Sequence, residues 1–135
     1  MNSEKNNNPL IVTAAVIKEN GRYLVTQRME DDTFSLLWEF PGGKLKSGES
    51  PEDGLIRECT EELDCGIVVL GINEVVYHSY ENFNVLLLFY NCRIIDGNPK
   101  LAGVNDLKWL KPSELNTEIF LPADREFIKR LRTQI

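Results

Sequence analysis

Histidine and cysteine are scarce in this 135-residue chain: there is one of the first and three of the second. An odd set of Cys59, Cys65 and Cys92, with no paired metal-ligand spacing, excludes a disulfide framework. The thiols read instead as free and buried, in a reducing compartment. The lone His78, between Tyr77 and Ser79, reads as a structural strand residue. Long apolar runs are also missing. The longest, Val85 to Tyr90, has strand length and falls far short of a membrane span. The polar, asparagine-rich start holds no apolar stretch of the signal-peptide kind. Basic charge is in deficit, with 15 Lys and Arg against 21 Asp and Glu, a net charge of −6. That excludes the basic face a duplex nucleic-acid binder needs, and the basic clusters that hold a protein on anionic lipid. The expectation is a cytoplasmic protein without a duplex nucleic-acid or membrane partner.

The composition that remains is ordinary. Hydrophobic residues are 42% and charged residues 27%, which rules out collagen-like and disordered chains. The length suits one folded unit over residues 9–135, with residues 1–8 as a disordered tail. Leu10 to Lys18 reads as a β-branched strand, Asn20-Gly21 as a hairpin turn, and Arg22 to Arg28 as an alternating strand pairing back. Trp38 to Gly43 reads as an aromatic strand end running into a glycine loop. Residues 67–79 and 83–95 read as a strand pair, and Leu107 to Leu110 as a short strand. Pro112 to Leu115 reads as one helical turn, and Pro122 to Thr133 as a closing helix. Strands around one central helix, with a second at the end, predict an α+β fold.

The central helix is marked by Ser50 as N-cap, Pro51 at its first position and Glu52 and Asp53 in its first turn. It is predicted to run to Asp64 or Cys65, with Gly66 as its stop. On a wheel, Leu55, Ile56, Cys59 and Leu63 share an apolar stripe. Glu58, Glu61 and Glu62 share another face, at i, i+3 and i+4, with no Lys or Arg interleaved. Gly54, one turn before Glu58, is expected to leave open space beside these acids. Like charges at that spacing destabilise a helix by a few tenths of a kcal/mol per pair. Two readings follow: a solvated acidic face, or a site for a hard divalent cation. Upstream, Gly42 and Gly43 let backbone approach a ligand or offer a carbonyl, and Arg57 can grip a carboxylate with both arms of its fork.

Taken together, Gly43, five residues, Glu49, seven residues, Arg57 and Glu58, then Glu61 and Glu62, resembles the Nudix hydrolase signature. The chain departs from it at the late glycine, which is Asp64, and carries Cys59 and Cys65 at aliphatic positions. Trp38 to Gly43, Gln27-Arg28 and Leu121 to Asp124 resemble the MutT-type branch, which hydrolyses nucleoside triphosphates. The resemblance implies a Nudix-type α/β/α sandwich with a central mixed β-sheet. It also implies Mg²⁺, or alternatively Mn²⁺, held by Glu58, Glu61, Glu62 and the carbonyl of Gly42. Glu49 and Arg57 would act with Glu58 and Glu61 in the catalytic group, orienting the helix and its loop. Arg28, Glu39, Phe83 and Asp124 would bind substrate, Arg28 at the phosphates and Asp124 at the base. Phe83 reads as either a base-stacking or a packing residue, and Asp124 as either a base contact or a helix cap. An ionised Asp124 accepts only, which favours cytosine, with 8-oxo-guanine as runner-up.

The implied reaction releases a nucleoside monophosphate and pyrophosphate from a small-molecule nucleotide, and the resemblance fixes no oligomeric state. Alternatives are cleavage of a diphosphate-linked compound, such as ADP-ribose or a dinucleotide, and a module that senses nucleotide without turnover. One departure bears on mechanism. The branch carries a further glutamate where this chain has Gly103, so that Asp106 would substitute for it, or the site works with one carboxylate fewer.

Overall fold

The computed structural model describes residues 8–134, so the tail reading falls almost wholly outside the described residues. In chain order the elements are β1 (Leu10–Glu19), β2 (Arg22–Gln27), β3 (Trp38–Glu39), β4 (Gly42–Lys44), α1 (Pro51–Leu63), β5 (Gly66–Ser79), β6 (Asn84–Asp96) and β7 (Asp106–Leu110). Two short 3₁₀ turns follow, Pro112–Glu114 and Thr117–Ile119, before α2 (Pro122–Thr133). The strands form one mixed sheet in the order β3-β2-β1-β6-β5, with β4 beside β1 and β7 beside β2. Among the named strand pairs only β1 and β6 run parallel, from Leu10 opposite Val85 to Ile17 opposite Cys92. The remaining named strand pairs are antiparallel.

Alternation along β1 and β2 divides the interior in two. Ala14, Val16, Tyr23 and Val25 enter one cluster with Phe127, Ile128 and Leu131 of α2. Ala15, Ile17 and Leu24 enter the other with Leu55, Cys59 and Leu63 of α1. A period-2 strand buried on both faces feeds two cores, and the sheet lies between the helices as an α/β/α sandwich. Aromatic contacts dominate the α2 side: Phe89 and Phe127 stack at 3.9 Å, and Phe40 meets Phe127 edge-on at 5.1 Å. All three cysteines are free and buried. Trp38 is buried, with the Lys108 ammonium 4.9 Å from its ring centre, while Trp109 only half-buries against the α1 side. Among the described residues no helix is long and apolar enough to cross a membrane.

The structure corrects several local expectations. Helix α1 ends on Asp64, not Gly66. Asp64 takes the left-handed conformation (φ 50°, ψ 43°) and its N–H donates to Thr60 O. Asp tolerates that region, and it stands where the Nudix pattern places glycine. Gly66 instead opens β5. Gly42 to Lys44 is not a loop but a strand on β1, with Gly42 opposite Ala14. A Cβ at Gly42 (φ 154°) would collide with the backbone of Thr13, so glycine is required. Ile56, at the edge of the apolar stripe, is 37% exposed, whereas Gly54 is buried. Gly54 leaves no open space beside the acids. A side chain there would run into Leu45 and come within 3.0 Å of Glu49, so the glycine lets the 45–49 loop lie on the helix.

Candidate active site

Helix α1, β4 and the N-terminal end of α2 meet at a cleft of about 640 Å³, an ordinary size for a small-molecule site. Eight of the candidate residues named from the sequence line it: Arg28, Glu39, Gly42, Gly43, Glu58, Glu62, Phe83 and Asp124. A second hollow of about 480 Å³, beside Glu19, Arg22 and Trp109, gathers none of them.

The rim of α1 is organised by Arg57. Its Nε and Nη2 donate to the two oxygens of Glu49 at 2.6 and 2.9 Å, and Nη2 also reaches Lys44 O at 3.2 Å. Its Nη1 donates to Glu58 at 2.8 Å and to Glu61 at 3.1 Å. The acidic face is therefore not free of cations, as the wheel suggested. Arg57 starts beside it and its long stem carries the guanidinium across three carboxylates. Glu49 also accepts from the Lys46 N–H at 2.8 Å. The Arg57 fork and this amide together pull its carboxyl down to about 2. Glu61 stays half-exposed, with the Lys46 ammonium 3.9 Å away. Neither Glu49, Arg57 nor Glu61 lines the cleft.

Deeper in, the balance reverses. Glu62 accepts one long bond, 3.3 Å, from Gly42 N–H. Burial, with Glu39 and Glu58 as like-charged neighbours, pushes its carboxyl up to about 9. Burial also raises Glu58 against the pull of Arg57. A Cβ at Gly43 would press on the Glu58 carboxylate at 2.5 Å, so that side chain would have to shift. Glu39 is pushed up to about 7 by burial, against the opposing pull of Arg28. Arg28 Nη1 donates to both oxygens of Glu39, at 3.2 and 3.1 Å, while Nε donates to Thr33 O at 2.6 Å and Nη2 lies 3.0 Å from Asp32.

Among the described residues no group of three or more His, Cys, Asp or Glu stands ready-made to hold a metal ion. The donor chemistry nevertheless fits a hard divalent cation: Glu58 and Glu62 offer only carboxylate oxygens, and the repulsion that raises Glu62 is what a positive charge between them would relieve.

Asp106 does not reach the cleft. It lies on β7 opposite Gln27, and its carboxylate accepts from the adjacent Leu107 N–H at 2.8 Å. At Gly103 the chain packs on the C-terminal end of α1, where the N–H groups of Lys100, Ala102 and Gly103 donate to Leu63 O and Glu62 O. Those contacts cap a helix whose last turn carries no basic residue.

Asp124, also in the cleft lining, is buried, and its Oδ2 accepts from Phe40 N–H at 2.9 Å. It caps no helix amide. Leu121 is the N-cap and makes no side-chain cap bond. Burial raises the Asp124 carboxyl well above the usual carboxylate range, with Glu39 adding to the effect. Phe83 packs against the α2-side core and also lines the cleft. His78 lies outside the lining, its ring 4.4 Å from Tyr80. Sequence reasoning missed Asp32, Thr33, Phe34 and Tyr80, which also line the cleft. Only the aromatic character of Phe34 and Tyr80, flanking segments already singled out, pointed to them.

Comparison with known proteins agrees with this architecture. Residues 12–130 match the NUDIX domain family model. The chain is 35% identical over 123 residues to a Haemophilus influenzae protein named 8-oxo-dGTP diphosphatase, covering 89% of each chain. It is 32% identical over 115 residues to an Escherichia coli protein named CTP pyrophosphohydrolase, covering 84% of each. A crystal structure of a MutT protein from Methanosarcina mazei superposes with a TM-score of 0.84 at 25% identity, covering 96% of this chain and 98% of the other.

Proposed function

The chain belongs to the Nudix hydrolase family, as a MutT-type member, and from that premise we propose that it cleaves a (deoxy)nucleoside triphosphate to the monophosphate and pyrophosphate. The observation that carries the reading is the lining of one cleft, where carboxylates and Arg28 share the space with the aromatic rings of Phe34, Tyr80 and Phe83. That arrangement suits a charged phosphate chain joined to a flat base. Glu58 and Glu62 would hold Mg²⁺, joined by Glu61 and the Gly42 carbonyl, with Mn²⁺ as an alternative. When bound, the cation supplies charge for the phosphoryl oxygens and lowers the pKa of bound water. Arg57 fixes Glu58 and, through Glu49, the approach of the β4–α1 loop. Arg28 faces the phosphates, anchored by Glu39. Free thiols suit a reducing, cytoplasmic setting.

The base follows from the protonation of Asp124. An ionised carboxylate favours cytosine, but burial favours the neutral acid, which keeps one oxygen on Phe40 N–H and offers an O–H. A donor there complements a base edge with a carbonyl, so an oxidised guanine nucleotide becomes the favoured substrate, with the cytosine nucleotide second. The Haemophilus relative's name supports the first and the E. coli relative's the second.

The test is pyrophosphate release from 8-oxo-dGTP, dGTP, dCTP and CTP with Mg²⁺, for wild type and Asp124→Asn. Asparagine reproduces the neutral acid: carbonyl toward Phe40, amide toward the base. We expect 8-oxo-dGTP hydrolysis to persist within a few-fold. If the variant instead loses 8-oxo-dGTP activity by a hundredfold while keeping dCTP, the assignment of the base is wrong.

A further inference from the structure

Phe34 and Leu36 adopt left-handed backbone, with φ of 55° and 61°. That region is unfavourable for bulky side chains, and it persists only where the surroundings impose it. Here the constraints are local and numerous. Arg28 N–H donates to Leu37 O at 2.9 Å, and Leu37 N–H donates to Phe34 O at 3.1 Å. Ser35 Oγ donates to Glu30 O at 2.6 Å, and the Arg28 guanidinium grips Thr33 O and Asp32 from beneath. The loop between β2 and β3 is thus clamped into a shape that costs backbone energy.

The clamp presents the Phe34 ring. Phe34 belongs to neither core cluster, so interior packing does not account for its position. Its ring sits 5.2 Å from Tyr80, tilted by 43°, and lines the cleft. Tyr80 in turn stacks on Phe83 at 5.0 Å, and its hydroxyl accepts from Ala123 N–H, beside Asp124. The contact bridges the cleft mouth, from the β2–β3 loop to the β5–β6 turn.

We infer that Phe34 is a specificity-determining residue: its ring supplies one face of the nucleobase subsite, and Arg28, through Thr33 and Asp32, positions it there. This rests on the nucleotide reading above. An aromatic face binds any base by stacking and rewards the larger purine more. Phe34 would therefore add affinity for the base, while Asp124 reads its edge.

Calorimetric binding in Mg²⁺ separates the roles, using 8-oxo-dGMP, deoxyribose 5-phosphate and pyrophosphate as probes. Phe34→Ala and Phe34→Leu are expected to weaken 8-oxo-dGMP about tenfold and leave the two baseless probes unchanged. Phe34→Tyr should restore binding, because it restores the ring. Equal loss on all three probes would mean the substitution only collapses the loop, and the inference would fall. Unchanged or tighter 8-oxo-dGMP binding by Phe34→Ala would also overturn it, showing that the ring merely plugs an empty cleft. Wild type that binds 8-oxo-dGMP but releases no pyrophosphate from 8-oxo-dGTP would sink the hydrolase reading alone.

Discussion

Replacing Glu62 with Gln keeps the shape of the side chain and an oxygen for Gly42 N–H, and removes one partly buried titratable group. In the folded protein burial and its like-charged neighbours raise that group from the ordinary carboxylate range to about 9. A carboxyl raised on folding holds its proton more tightly in the native state. Its contribution to stability is therefore greatest at low pH, and declines as pH rises from the unfolded value toward the folded one. The full slope for one proton is about 1.4 kcal/mol per pH unit. Glu62 is only partly buried beside an open cleft, so about half of that, ~0.7 kcal/mol per unit, is a reasonable expectation. From pH 6 to 8.5 wild type should lose roughly 2 kcal/mol relative to the Gln variant, about 6 °C in Tm for a domain of this size. Mg²⁺ should reverse the trend in wild type, because cation and proton compete for the same oxygens. Thermal unfolding at pH 6, 7 and 8.5, with Mg²⁺ or with chelator, reads both effects. Parallel pH curves for the two proteins, or equal stabilisation of both by Mg²⁺, would refute the argument. Turnover by the variant should fall at least about a hundredfold.

Other substitutions probe separate parts of the structure. Arg57→Lys should lower turnover despite keeping its charge, because an ammonium cannot span Glu49, Glu58 and Glu61 together; full activity in steady-state kinetics would reduce Arg57 to a local counter-charge. Asp106→Asn should leave kcat and KM within about twofold, since its carboxylate serves Leu107 N–H and not the cleft; a selective fall in kcat would return it to the site. Gly103→Glu should destabilise and not activate, because a Cβ there meets Glu61 O at 3.1 Å and Glu62 Cα at 3.3 Å, both backbone atoms; a melting curve unchanged from wild type would contradict this. Phe127→Ala should cost about 3–5 kcal/mol in denaturant unfolding, because it empties the centre of the α2-side aromatic cluster; a loss below about 1 kcal/mol would show that the core collapses around the gap.

Most of the architecture was legible because its signals are local. Ser50 and Pro51 open α1 whatever surrounds them, and Asn20-Gly21 turns the chain between β1 and β2. Helix α2 spans Pro122–Thr133, the stretch that its opening proline and basic last turn mark in the sequence. The short strand at Gly42–Lys44 leaves no local signal, because its glycines carry no β-propensity; it forms by pairing with β1, which approaches Gly42 too closely for a Cβ.

The sequence by itself determined which residue types share the face of α1, since helical periodicity places Glu58, Glu61 and Glu62 together before anything else packs. It also determined the family, through polar residues at fixed spacing between Gly43 and Glu62. Tertiary structure alone decided their electrostatic fates. Arg57 hydrogen-bonds Glu49, Glu58 and Glu61, while Glu62, one residue beyond Glu61, is left without it among like charges. Tertiary structure also turned Asp124 from an expected acceptor into a group favouring its proton, by burying it against Phe40, 84 residues away in the chain. It turned the Asp106 carboxylate to Leu107 N–H, outside the cleft lining, and brought Phe34 to Tyr80. Desolvation and long-range contact set these outcomes, and neither is a property of a residue and its neighbours in sequence.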